Sequence, residues 1–215
     1  MTLPPLYAAL EPLSAARHGR LCWRDPGLAF AVPQPLPLAL DEIGRAARHA
    51  PVVFAPDPPH APFLLWPGPR PGAHVPRYLR RYPFLLAPVA PGREELALCV
   101  DPGAPHLSET EGEPLFDAAG RPTPLAARAF AFARALEEGL FAARAFAAGL
   151  ARWGLLAPAA LPAENTRGIP RPEAFRAVHR EAFMRLSGDQ LAMLRDKGWL
   201  EPLVAHLLSV LALEG

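Results

Sequence analysis

Apolar residues recur every three or four positions from Leu125 to Leu150, the longest regular pattern in the chain. At 100° per residue, Leu125, Ala129, Phe132, Leu136, Ala143, Phe146, Ala147 and Leu150 share one helical face, and Arg134, Glu137, Glu138, Arg144 and Arg152 lie opposite. Thr123 offers a capping hydroxyl, and Pro124 suits the first helical position, where no N–H is needed. Gly154 suits a left-handed C-cap. The pattern predicts one helix from Pro124 to about Trp153, roughly 45 Å long at ~1.5 Å per residue. Gly139 and Gly149 are expected weak points within it, each costing about 1 kcal/mol relative to Ala. Phe130 and Phe141 break the pattern: they fall on the charged side, three turns apart. They predict either a second packing surface or a docking surface for a partner protein.

The first hundred residues read mostly as short strands. Apolar and β-branched runs predict strands at 21–23, 28–32, 52–56 and 61–67. Residues 84–89 and 95–100 predict a hairpin turning around Pro91 and Gly92. Short helices are expected over 41–50 and 76–82, each stopped by a proline. After the long helix, 155–172 reads as a connector with at most one short strand, and 171–186 is read as helix. Ser187 and Gln190 form a capping box for a helix ended by Gly198. The last segment, 199–213, is apolar on most faces and is expected to be buried. Together these elements predict an α+β fold: a small mixed or antiparallel sheet packed on one long helix and C-terminal helices. One unit over 1–215 is expected, with a β-rich half at 1–105 and a helical half at 122–215.

Composition narrows the function classes. The chain has 215 residues, 51% of them hydrophobic and 20% charged, which suits a soluble protein with a substantial core. A net charge of +1 argues against a nucleic-acid groove or a polybasic membrane patch. The 29 prolines favour short elements and rigid turns. Lys197 is the only lysine, so arginine clusters reflect a general Arg bias and are discounted as phosphate sites. Cys22 and Cys99 lie far apart with no metal-ligand spacing and read as free buried thiols. Early prolines break up any signal-peptide helix, and no run approaches the ~20 apolar residues of a membrane span. The expectation is a cytoplasmic protein with no membrane span.

Charged groups crowd only in residues 101–117, which hold Asp101, His106, Glu109, Glu111, Glu113 and Asp117. Carboxylates beside a histidine could form an acid–base pair or take a hard cation. The hairpin would carry Tyr82 to the same end, so the candidate pocket is Tyr82, Asp101, His106, Glu109 and Asp117. The bland alternative is a solvated acidic loop, partly capping the dipole of the next helix. The spacing matches no metal loop, so no metal and no cofactor is expected. Arg77, Arg80 and Arg81 are expected to pair with this loop. Ser108 near His106 makes no triad, because no third group is indicated to hold a base. His206 reads as a hydrogen-bonded core histidine. The GxGxxG, Walker, HExxH and GxSxG motifs are absent. The balance leans away from an enzyme.

Several segments taken together resemble the SapC family, named after a bacterial surface-array protein locus. They are Arg17-His18, LAFAV (28–32), PVVF (51–54), VPRYLRRYPFLLA (75–87), LALCVD (96–101), LSETEGEPLFDAAGRPTP (107–124) and GWLEPLVAHLLSV (198–210). The chain departs from the family pattern around 66–74, which looks shortened. It departs again at 157–174, where the expected strand–turn–strand is not evident. Members of the family tend to be encoded beside halogenases, cupin-like oxygenases and outer-membrane receptors. The resemblance therefore implies an accessory role with a protein partner or a homo-oligomer, and it carries over no catalytic residues.

Overall fold

Contacts divide the computed structural model into two units interleaved along the chain: Met1–Pro33 with Leu79–Glu137, and Gln34–Tyr78 with Glu138–Gly215. The structure describes residues 3–27, 32, 34–88, 95–161 and 169–211. In chain order the strands are β1 (Glu11–Pro12), β2 (Cys22–Trp23), β3 (Leu36–Pro37), β4 (Val52–Phe54), β5 (Pro62–Leu64), β6 (Phe84–Pro88), β7 (Leu96–Val100), β8 (Leu107–Ser108), β9 (Glu113–Pro114), β10 (Leu156–Ala159) and β11 (Phe175–Val178). The helices are α1 (Ala15–His18), α2 (Ile43–Ala46), α3 (Arg77–Arg80), α4 (Pro124–Arg152), α5 (Arg180–Met184), α6 (Gly188–Asp196) and α7 (Leu200–Leu211). The class is α+β, as expected. The strand expected over 28–32 falls largely outside the described residues, as does the turn around Pro91 and Gly92.

In the first unit, β6 and β7 pair antiparallel with Phe84 opposite Val100, and β1 joins the free edge of β7. A second sheet sets β2 between β8 and β9. Phe84, Leu86, Leu98 and Val100 pack with Leu115, Phe116, Leu125 and Ala133 to form the core. The first half of α4 thus buries its apolar face on the hairpin. Both cysteines belong to this unit and are free.

In the second unit, five antiparallel strands run in the order β10-β11-β4-β5-β3. Two segments differ from expectation here. Residues 175–178 form β11 rather than helix, because their main chain pairs with β10 on one side and β4 on the other. A mixed periodicity yields to that ladder. The two strands not evident in the sequence are therefore present and paired, with Leu156 opposite Val178 and Ala159 opposite Phe175. In α7, Pro202, Leu203, His206 and Leu207 are buried, but Val204, Leu208 and Leu211 are exposed. Burial all round does not hold for this helix.

Helix α4 runs unbroken for 29 residues, and Gly154 beyond it takes the left-handed φ of 67°. Its two internal glycines are sites of close approach. A Cβ on Gly139 would lie 2.7 Å from the Ala39 Cβ, and one on Gly149 would lie 2.4 Å from Trp199 Cζ3.

Candidate functional site

The register of β6 and β7 carries Tyr82 and Asp101 to the open end of the hairpin, where the Asp101 amide donates to the Pro83 carbonyl at 3.0 Å. Asp101 is 1% exposed. Its Oδ2 accepts the Ala8 N–H at 2.8 Å and faces the Tyr82 hydroxyl at 3.4 Å, while Oδ1 accepts the Gly103 N–H at 3.2 Å. The Ala104 amide closes a turn on the Asp101 carbonyl, and the Leu107 amide closes the next on Ala104. These turns place the buried His106 ring edge-to-face with Tyr82, centroids 5.1 Å apart.

Burial governs the acid–base character of this cluster. It pushes the Tyr82 phenol up to about 12, and the Asp101 charge and hydrogen bond add to the effect. Burial also pulls the His106 imidazole below its ordinary value, with Asp25 partly opposing. At neutral pH the phenol keeps its proton and the imidazole stays uncharged. The arrangement holds a carboxylate by donors and stacks two rings beside it. Both Asp101 oxygens are thus engaged by donors of the chain itself.

Glu109 and Asp117 do not join this group. Glu109 is exposed and pairs with Arg20 at 3.0 Å. Asp117 closes its own turn, accepting from the Ala119 and Arg121 amides and from Arg121 Nε at 2.8 Å. The Arg121 hydrogen bonds hold its carboxyl below the usual range. Glu111 and Glu113 likewise pair with Arg24 and Arg128. Arg77, Arg80 and Arg81 each meet a partner outside this loop. Arg77 meets Asp41 and Glu42, Arg80 lies 5.2 Å over the Phe132 ring, and Arg81 donates to Glu137 at 2.5 Å. A surface carboxylate pairs with whichever arginine the fold brings beside it, a choice that spacing alone does not encode.

A second buried polar group lies in the other unit and escaped the sequence reading. Glu42 Oε1 accepts from His74 Nε2 at 2.9 Å and from the Arg77 amide at 2.7 Å. The only hint was an acid pair opening a short helix and a histidine three residues ahead of an arginine. His206 is the core histidine that the sequence suggested, with its ring between the Val52 carbonyl and the Val178 amide. Among the described residues no group of three or more His, Cys, Asp or Glu is placed to hold a metal ion.

The two phenylalanines on the charged flank of α4 are both exposed. Phe130, in the first unit, is 37% exposed, and Phe141, in the second, is 70% exposed. Among the described residues no helix is long and apolar enough to cross a membrane. A family model described as SapC matches residues 13–214. No curated protein and no solved structure matches the chain. With nearly its whole length covered by that model, the chain belongs to the SapC family.

Proposed function

We propose that this chain is a cytoplasmic, non-enzymatic accessory protein that acts by binding another protein or a second copy of itself, with Phe141 of α4 as an anchor. The observation that supports this is the 70% exposure of an aromatic ring on a very regular helix, rimmed by the exposed Glu138 and Arg144. An apolar anchor inside a charged rim is the usual anatomy of a binding hot spot. The test is light scattering of the purified chain together with crosslinked recovery from native lysate, for wild type and Phe141→Asp. The expected result is a stoichiometric assembly that the variant loses while its melting temperature holds. A monomer with no partner, or an assembly indifferent to the substitution, overturns the reading.

A second reading, a small-molecule or metal-dependent enzyme or binder at the 101–117 loop, draws on the convergence of Tyr82, Asp101 and His106. It is the weaker one, because Glu109 and Asp117 are tied to their own arginines. Metal analysis of purified protein, beside an Asp101→Asn variant, tests it.

A further inference from the structure

Residues 3–10 cross the open end of the β6–β7 hairpin, and Tyr7 is their one buried side chain. Its hydroxyl donates to the Phe84 carbonyl at 2.6 Å. Its ring meets Tyr82 edge-on, centroids 5.3 Å apart, and the Arg81 guanidinium lies 5.9 Å from its centroid. One residue on, the Ala8 N–H donates to Asp101 Oδ2 at 2.8 Å. Ala8 and Ala9 themselves are exposed. Leu6, just before the anchor, has φ 90°, a left-handed value that a residue with a side chain holds only where its surroundings impose it. The hairpin behind is held separately, by a ladder running from Phe84–Val100 to Pro88–Leu96. Leu6 and Leu10 pack beside Tyr7 on the same cluster, and at Glu11 β1 pairs with Val100.

We infer that residues 3–10 form a strap over the Tyr82–Asp101 pair, which opens locally while the hairpin stays paired. Opening lifts Tyr7 off the Tyr82 ring and takes the Ala8 donor away from Oδ2. Oδ1 keeps its bond to Gly103, so Asp101 stays in place and turns one oxygen to solvent. The backbone strain at Leu6 favours the open form, and the buried Tyr7 ring, with the Leu6 and Leu10 side chains packed beside it, favours the closed one. Such a balance is the physical content of a sub-global opening.

Native-state hydrogen exchange on the full chain tests this. The Ala8 amide should exchange at least about 100-fold faster than the β6–β7 ladder amides, as expected for local rather than global opening. Tyr7→Phe, which removes one hydrogen bond and keeps the ring, should speed Ala8 exchange about five- to tenfold and leave the ladder unchanged. The inference is overturned if Ala8 is protected as long as the ladder, or if Tyr7→Phe fails to speed the strap alone.

Discussion

The Nδ1 of His206 lies 2.7 Å from the Val52 carbonyl oxygen, deep in the second unit. Its Nε2 accepts the Val178 N–H at 3.0 Å, so the single proton of the neutral ring sits on Nδ1 and donates to Val52. Ser209 completes the clamp, accepting the Val52 N–H and donating to the His206 carbonyl. One turn of α7 therefore fastens β4 and β11.

This clamp predicts acid sensitivity. Burial depresses the His206 imidazole from 6.5 to about 4. Between those values the unfolded chain binds the proton and the folded one does not, so stability rises with pH across that window. The contribution is complete above 6.5 and is lost as pH falls toward about 4. At about 1.4 kcal/mol per unit, the loss is about 3 kcal/mol. Urea unfolding of wild type and His206→Gln at several pH values between 7 and 4 should show the variant less stable at neutral pH. Its pH dependence should be flatter by about that amount.

The glycines of α4 predict an inverted helix-propensity effect. Alanine should favour a helix interior by about 1 kcal/mol over glycine. At Gly149 the new methyl would meet Trp199 at 2.4 and 2.8 Å, so Gly149→Ala should instead destabilise by about 1–3 kcal/mol. Adding Trp199→Leu should relieve the clash and give a favourable coupling in a double-mutant cycle. Gly139→Ala should also lose stability, against Ala39.

The first-unit cluster predicts that one acid of the 101–117 segment matters to folding and its exposed neighbours do not. Asp101→Ala strips acceptors from the Ala8 and Gly103 amides and should cost about 2 kcal/mol. Glu109→Gln breaks only an exposed pair with Arg20 and should stay within about 0.5 kcal/mol of wild type. Denaturant midpoints at equal m-value compare the two.

Tyr82 predicts a late phenolate. In an ultraviolet titration of wild type against Tyr82→Phe, the step that the variant loses should lie near 12. Asp101→Asn should lower that value only in part, because burial is the larger cause. A variant phenol returning fully to about 10 would reverse that order of causes.

How legible these features were follows from how local their causes are. The α4 pattern, the Ser187–Gln190 capping box and the β6–β7 hairpin rest on periodicity and neighbours, and all three stand as read. The hairpin also made Tyr82, Asp101 and His106 legible as a group, since register fixes who meets at its end. Glu109 and Asp117 were misplaced because exposed acids pair with whatever arginine is nearest. β11 was misread because its identity comes from pairing with β10 across a proline-rich stretch and with β4, which is distant in sequence. The glycines looked like defects because the side chains pressed against them, Ala39 and Trp199, lie far along the chain.

Glu42 carries the last prediction. It is 3% exposed and takes the Arg77 amide and the His74 ring on one oxygen, with Arg77 Nε 3.4 Å from the other. Glu42→Ala removes the acceptor of the Arg77 amide and the His74 ring and the charge facing the Arg77 guanidinium, which keeps Asp41, and should cost about 2–3 kcal/mol. Glu42→Gln retains an acceptor and should cost about 1–2 kcal/mol. His74→Ala, at a ring with 15% of its surface open, should cost less than Glu42→Ala. Urea unfolding at low and high salt checks both the order and the mechanism. A sheltered pair should keep its cost in ~1 M salt, where an exposed one is screened within about 3 Å. Costs that collapse with salt would instead place Glu42 among the surface pairs.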